Sequence, residues 1–312
     1  MAAQPSRAFL AFVQEWSGPV EQALLELLPP KTAVPQRLHE AMHYALFPGG
    51  KRLRPMLVLL GCRALGGDCK RALRAAAALE CLHTYSLVHD DLPCMDDDDL
   101  RRGRPACHKV YGEALALLAG DALLTLAMEG AASAGAPAVA ELARAAGSLG
   151  MVGGQVEDLA AEREPDRHDL ARVQWIHDHK TGALITASLL VGAHAGAGEA
   201  GPPAAALGQL RRFGDLLGRA FQIADDCLDL TGTAHELGKN PLADVARGKL
   251  TWPAIVGLEQ SLATARQLAA EASLLAAMVV AAASQGPGPG PTLDAAVGLL
   301  QDAASYAVER RR

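Results

Sequence analysis

The chain has 312 residues, half of them hydrophobic and only 4% aromatic, with a formal net charge of −6. An acidic balance argues against a nucleic-acid-binding surface, and so few aromatics argue against base-stacking platforms. The length admits two domains or one large helical domain, so the pattern along the chain decides.

The opening stretch MAAQPSRAFLAFVQEW has no basic segment followed by a sustained apolar run, so a secretory leader is not expected and a cytoplasmic location is. Alanine and leucine dominate, β-branched alternation is scarce, and apolar positions recur at helical spacing, as in Leu73 to His83 and Leu207 to Leu230. Breaks fall at Pro29-Pro30, Phe47-Pro-Gly-Gly50, Gly66-Gly67, Gly135-Ala-Pro137, Glu164-Pro165, Gly201-Pro-Pro203 and Gly232 to Pro241. They divide the chain into about ten or more helices of ordinary length. No linker separates domains and no solenoid repeat is present, so an all-α, single-domain bundle spanning residues 1–312 is expected. The longest charge-free stretch of helical character, Gly182 to Gly198, is shorter than the roughly 20 residues that span a bilayer, so it is expected as a buried helix and no membrane insertion is expected. Residues 285–291, QGPGPGP, cannot be helical and are expected as a flexible loop. The six cysteines never form a CxxC pair, and they are expected as reduced, small core residues.

Two acidic clusters stand out. The first lies in VHDDLPCMDDDDLRR, where six aspartates fall at Asp90, Asp91 and Asp96 to Asp99. Pro93 disfavours helix at Leu92, so the helix is expected to end there and Asp96 to reach back from the following turn towards Asp90. The second cluster is FQIADDCLDL, where helical spacing puts Asp225, Asp226 and Asp229 on one face, with Gln222 one turn earlier. Carboxylates about 5 Å apart repel by on the order of 1 to 3 kcal/mol, and a hard divalent cation relieves that repulsion. Mg²⁺ suits the pattern, because it takes one or two carboxylates and keeps other positions for water and phosphate oxygens. A solvated helix end is the plainer reading for Asp97, Asp98 and Asp99.

Cations accompany the acids. Gly50, Lys51 and Arg54 lie in GGKRLRP, a glycine turn running into a helix start whose free amides favour anions. Arg101 and Arg102 follow the first aspartates and can clamp phosphate oxygens in bidentate fashion. Lys180 and Thr181 open the apolar segment GALI, Lys239 and Lys249 follow the second cluster, and His83 lies two turns before Asp90 on the same helix. Carboxylate clusters, cations and apolar walls together suit a ligand with a diphosphate head and a hydrocarbon tail.

These residues together resemble the trans-prenyl diphosphate synthases (polyprenyl synthetases), most of all the bacterial farnesyl diphosphate synthase type. The resemblance runs from about Phe47 to Pro253, through FPGGKRLRP, LECLHTYSLVHDDLPCMDDDDLRRG, MVGGQVEDL, HKTGALI, FQIADDCLDLTG, LGK and GKLTWPA. It implies an all-helical isoprenoid synthase fold around a deep central cavity, and a homodimer. It implies that Asp90 and Asp96, supported by Asp91, bind two Mg²⁺ ions, and that Asp225, with Asp226 and Asp229, serves a third. Gly50, Lys51, Arg54, His83 and Arg102 would surround the diphosphate of isopentenyl diphosphate, while Arg101, Lys180, Thr181, Gln222, Lys239 and Lys249 would hold the allylic diphosphate. Pro241 departs from the family's usual glycine-containing loop.

The implied chemistry is ionisation of an allylic diphosphate, attack by the double bond of isopentenyl diphosphate, and proton loss. Tyr85 and Ser86 lie five and four residues before Asp90, roughly 6 to 7.5 Å deeper along the helix, where a tyrosine would stop chain growth early. A C15 product, (E,E)-farnesyl diphosphate, is therefore expected, with geranylgeranyl or geranyl diphosphate as alternatives. A terpene cyclase would not need the second acidic cluster or the isopentenyl site, and a non-catalytic subunit would tend to lose the aspartates. Two ExxH pairs, Glu40–His43 and Glu80–His83, also admit a di-iron bundle, which would leave both acidic clusters unexplained.

Overall fold

A computed structural model of the chain describes residues 7–47, 50–164, 169–231, 249–284 and 291–309. The helices follow the punctuation of the sequence. They are α1 (Arg7–Leu27), α2 (Gln36–Leu46), α3 (Leu53–Ala64) and α4 (Cys69–Asp90), followed by a two-stranded antiparallel ribbon of β1 (Leu100–Arg101) and β2 (Arg104–Pro105). Next come α5 (Cys107–Tyr111), α6 (Glu113–Ala131), α7 (Ala136–Ala146), α8 (Met151–Arg163), α9 (Leu170–Ile176), α10 (Ala183–Ala197) and α11 (Ala204–Thr231). The last are α12 (Trp252–Val256), α13 (Leu258–Ala283) and α14 (Pro291–Glu309). Between α9 and α10 the chain does not break but widens into one π turn, His177–Gly182.

Local chemistry sets these ends. The Asp68 carboxylate caps α4 by accepting from the Lys70 amide at 3.0 Å, and Asp169 caps α9 by accepting from the Arg172 amide at 2.8 Å. Gly112 and Gly257, at φ 84° and 82°, make two breaks that helical periodicity alone does not reveal. In each case a helix resumes at the very next residue.

The bundle is all-α apart from the ribbon, as expected. Its main core gathers Phe9, Leu24, Leu57, Leu60, Leu79, Leu82, Leu123 and Phe213, all nearly inaccessible to solvent. A smaller cluster of Val173, Ile176, Ile223, Cys227, Leu250 and Trp252 supports the lower half of α11. The alanine run of α4, Ala75 to Ala78, is wholly buried, which lets α1, α3, α6 and α10 all pack against this helix.

The α3–α10 contact is closer still. A Cβ on Gly192 would lie 1.9 Å from the Val58 carbonyl oxygen, and one on Gly61 would lie 2.1 Å from that of Leu189. Gly192→Ala must therefore push two backbones apart, and it should destabilise the protein by about 3 kcal/mol, the upper end for overpacking. Gly208→Ala, on α11 with open space around it, should stabilise by about 0.5 kcal/mol. Urea denaturation midpoints for the two variants should move in opposite directions.

Two expectations are corrected, and the bounds of a third element are widened. Cys94 is exposed, because it lies in the turn after α4, while the other five cysteines are buried and all six are free. Pro291 is not loop but the first residue of α14, a position where proline's missing N–H costs nothing, and residues 285–290 lie outside the described residues. The Gly182 to Gly198 stretch belongs to a longer helical run, Leu170–Ala200, which with Glu113–Ala134 and Leu258–Ala283 is long and apolar enough to cross a membrane by length and composition. In Leu170–Ala200, 78% of the apolar window is already buried inside the bundle.

Candidate active site

The first acidic cluster forms where α4 ends. Asp90 is its last residue, and the Asp96 amide folds back to donate to the Asp90 carbonyl at 2.8 Å. Burial lifts the Asp90 carboxyl from 3.8 to about 6, and the neighbouring Asp96 adds to that rise even though Lys180, Arg101 and Lys249 oppose it. Lys249 Nζ approaches Asp96 Oδ2 at 3.3 Å. Asp91 faces another way. It is buried, and Arg101 Nε donates to its Oδ1 at 2.9 Å while Arg101 Nη2 reaches both Asp91 and, at 3.2 Å, Asp98 Oδ2. Burial outweighs this pairing and raises the Asp91 carboxyl. Asp97 and Asp99 turn outward to Lys109, at 3.9 and 2.6 Å.

The ribbon separates two arginines that are neighbours in sequence. Arg102 and Gly103 form its tip with φ of 53° and 73°, and both values above zero suit a tight hairpin turn. Arg101 therefore serves the aspartates, while Arg102 reaches Glu80 Oε1 at 3.6 Å. Glu80 is buried and also accepts from Arg52 Nη1 at 2.8 Å. Arg52 is anchored further by Glu21, at 2.6 Å, and by the Leu46 carbonyl, at 2.9 Å. Arg102 Nη1 is buried with no hydrogen-bond partner among the described residues. Gly50 leaves room for this guanidinium, since a Cβ there would lie 3.2 Å from its Cζ. Lys51 is exposed just before α3, and Arg54 stands in that helix's first turn. His83 completes the corner, and burial together with Arg54, Arg102, Arg101 and Arg52 holds its imidazole well below the usual range, so it is neutral. Glu80 is committed to guanidiniums and His43 to the Pro29 carbonyl at 2.9 Å, so the ExxH pairs build no di-iron site.

Opposite these residues, the π turn presents Lys180 and Thr181. Lys180 Nζ lies 2.5 Å from Asp158 Oδ2 on α8, and Thr181 Oγ1 donates to Gln222 Oε1 on α11 at 2.7 Å. Gly154 makes the approach possible, because a Cβ there would fall 2.2 Å from the Lys180 backbone nitrogen. The second acidic cluster divides. Asp225 is half-buried, whereas Asp226 and Asp229 are buried. Asp226 accepts from Gln222 Nε2 at 3.0 Å and from the Trp252 amide at 2.8 Å, and His177 Nε2 stands 3.1 Å from it. Asp225 and Asp226 lie at opposite edges of one face, about 100° apart, and it is Asp226 that turns to Gln222 and the Trp252 amide. Lys239 lies outside the described residues.

Between the two halves opens a cavity of about 310 Å³. Arg54, His83, Asp90, Lys180 and Thr181 line it together with Tyr85, Ser86, Leu87, Met95, Met151, Val152, Val156 and Leu159. Polar groups therefore meet an apolar pocket, with Tyr85 in its wall, edge-on to His89 at 5.5 Å between ring centroids. Burial and the nearby Asp90 push the Tyr85 hydroxyl up to about 12, so it is never ionised at working pH. Gln155 also lines the cavity, and its Nε2 is buried without a partner among the described residues.

Asp158, Glu80 and Gln155 are site residues that reading for acid clusters and cations did not single out. Asp158 and Gln155 stand in MVGGQVEDL, where a Gly-Gly pair beside an acid was the available signal. Among the described residues, no three acidic, histidine or cysteine side chains converge as a ready-made metal centre. The donor set nonetheless fits Mg²⁺, since Asp90 and Asp96 form a half-buried pair of neighbouring carboxylates, and a hard cation sharing its shell with phosphate oxygens would relieve their repulsion.

Comparison with known proteins agrees with this geometry. Residues 35–277 match the polyprenyl synthetase family. Geranylgeranyl pyrophosphate synthase 9, chloroplastic, of Arabidopsis thaliana is 48% identical over 248 residues, 76% of this chain and 68% of that protein. The heterodimeric geranylgeranyl pyrophosphate synthase large subunit 1, chloroplastic, of the same plant is 45% identical over 276 residues, 85% and 72% of the two chains. An FPP/GFPP synthase from Zymomonas mobilis superposes with a TM-score of 0.79 at 35% identity, covering 96% of this chain and 98% of its own. The geranyltransferase of Helicobacter pylori, solved with magnesium and isoprenyl diphosphate, gives 0.76 at 30% identity, covering 98% of each chain. The chloroplastic relatives overturn the expected cytoplasmic location. That expectation rested on the lack of an apolar leader, and plastid-directing segments are arginine- and serine-rich rather than apolar, so the criterion could not see them. The helical bundle has the isoprenoid synthase fold of these structural relatives, and the chain belongs to the polyprenyl synthetase family.

Proposed function

We propose that this chain is a prenyltransferase that condenses isopentenyl diphosphate with an allylic diphosphate, with geranylgeranyl diphosphate as its main product. The observation that carries the reading is that Asp90, with Asp96 folded back beside it, lines one apolar-walled cavity together with Lys180 and Arg54. The product length follows the curated relatives, which are named geranylgeranyl pyrophosphate synthases at 44–48% identity. Farnesyl diphosphate remains the second reading, because Tyr85 sits in the cavity wall five residues before Asp90, where it would block a longer tail.

Mg²⁺ held by Asp90, Asp96 and Asp225 would supply positive charge against the departing diphosphate. Lys180, Thr181, Gln222, Lys249 and Arg101 bind that diphosphate and favour the charge that accumulates as its C–O bond breaks. Asp91 and Asp226 hold partners in place, through Arg101 and through Gln222. Lys51, Arg54, His83 and Arg102 seat the second diphosphate, and neutral His83 offers a hydrogen bond without adding to the local positive charge. The apolar walls keep water from the cationic carbon, and its neighbouring proton leaves to the released diphosphate. Two copies pair in this reading, consistent with exposed Leu117 and Leu118 on α6 and Leu149, Val152 and Val156 near and on α8.

Incubation with dimethylallyl and isopentenyl diphosphates plus Mg²⁺, followed by chromatographic sizing, tests the proposal directly. Consumption to a C20 product supports it, a C15 end product supports the second reading, and no consumption of isopentenyl diphosphate refutes both. In the same assay Tyr85→Ala should lengthen the product by at least one isoprene unit. An unchanged length would remove Tyr85 as the floor of the pocket.

A further inference from the structure

The π turn His177–Gly182 is tied on two sides. Its inner ties are His177 to Asp226 at 3.1 Å, Lys180 to Asp158 at 2.5 Å and Thr181 to Gln222 at 2.7 Å. Lys180, Thr181 and Gln222 are the groups proposed to bind the allylic diphosphate, so the second and third of these ties loosen when ligand enters. A different tie lies outside. Arg219 Nε donates to Asp178 Oδ1 at 2.9 Å and Nη2 to Oδ2 at 2.7 Å, a two-point fork. This pair lines a separate cleft of about 350 Å³, none of whose lining residues lines the tail cavity.

We propose that Asp178 and Arg219 are positioning residues that fix the register of the π turn, and through it the placement of Lys180 and Thr181; this rests on the allylic role proposed for those two side chains. A π turn holds one residue more than an α turn and persists where something external retains it. If the extra residue were lost, every following side chain would rotate by about 100°, taking Lys180 and Thr181 off their targets. Glycine contacts alone do not prevent this. Gly154 and Gly218 bring α8 and α11 against the turn's backbone, at 2.2 Å to the Lys180 nitrogen and 2.7 Å to the Gly182 Cα for an added Cβ. Bare backbone contact limits separation but not rotation. The fork does limit rotation. The turn and α11 run antiparallel, with Gly182 against Gly218 and Thr186 against Gly214, so the Asp178–Arg219 and Thr181–Gln222 ties cross and brace the turn together. Of these two crossing ties to α11, only the fork involves no group proposed to bind ligand.

The test compares Arg219→Ala and Asp178→Ala with the unaltered protein. Each should raise KM for the allylic diphosphate about tenfold or more and leave KM for isopentenyl diphosphate within twofold. The exchanged pair, Asp178→Arg with Arg219→Asp, should recover most of the loss. In a Lys180→Ala background Arg219→Ala should add less than twofold. Hydrogen exchange at residues 176–183 should quicken in both single variants, a readout that holds even if the unaltered protein turns nothing over and the functional reading itself falls. Unchanged exchange there, equal changes in both KM values, or a full effect without Lys180 would each overturn the proposal.

Discussion

Asp90→Asn should lower kcat for chain elongation by about 10³-fold, as expected for removal of a pre-organised charge from a reacting centre, while making the metal-free protein more stable at pH 8. The second effect follows from the carboxyl's rise from 3.8 to about 6. A folded-state value above the unfolded one means that ionised Asp90 opposes folding. The penalty is present in full above pH 6, shrinks as the pH falls through the interval, and is gone below 3.8. The rise corresponds to at most about 3 kcal/mol, so the gain in thermal midpoint should be a few degrees. Melting curves in chelator at pH 8 and pH 4 check the sign. A gain at both values, or a loss at pH 8, would sink the account of Asp90 as a strained ligand awaiting a cation.

Glu80→Ala should be the most destabilising single change near the site. The carboxylate is buried and serves Arg52 and Arg102 together, so its removal leaves the Arg102 guanidinium facing Arg52 without the carboxylate between them. Breaking a buried ion pair costs about 3 to 5 kcal/mol, and the lower end applies because Arg52 keeps Glu21 and the Leu46 carbonyl. Adding Arg52→Met should restore most of that stability, since replacing both partners by apolar groups is often neutral. It should not restore binding. Arg102 stays unanchored, so KM for isopentenyl diphosphate should remain raised about tenfold in the double variant, a weakening of about 1.4 kcal/mol. Urea melts and steady-state kinetics on the two variants separate the structural role of Glu80 from its hold on Arg102.

Much of this site was legible before any coordinates. Crowded aspartates at Asp90, Asp91 and Asp96 conflict with simple folding, and such conflict marks function. The helix stop at Leu92 and the return of Asp96 follow from one proline, and the structure has both. Directions were harder. Arg101 and Arg102 read as a pair, yet a turn with two positive φ values sends them to different acids. Asp226 reads like Asp225, yet a distant backbone amide, that of Trp252, takes it. The π turn was invisible because α10 beyond it is buried and apolar on nearly every face, so it offers no stripe against which a one-residue shift would show. Asp158 was passed over because a single acid on a helix ordinarily faces water, and only Gly154 brings Lys180 within its reach.

The ion pairs across the cavity mouth bear on how ligands can arrive. Lys249 rests on Asp96, Lys180 on Asp158, and Arg101 on Asp91 and Asp98. The mouth thus behaves as a small ion exchanger already loaded with its own counter-charges. A bare anion must strip lysines from carboxylates, and a bare divalent cation must strip carboxylates from lysines; either alone leaves half of each pair exposed. Both together satisfy every member, so each raises the other's affinity by the same factor. Pyrophosphate titrations with and without Mg²⁺ would measure that factor. On the proposed function, a mouth built this way would pass over free phosphate and admit the metal–diphosphate unit as one particle.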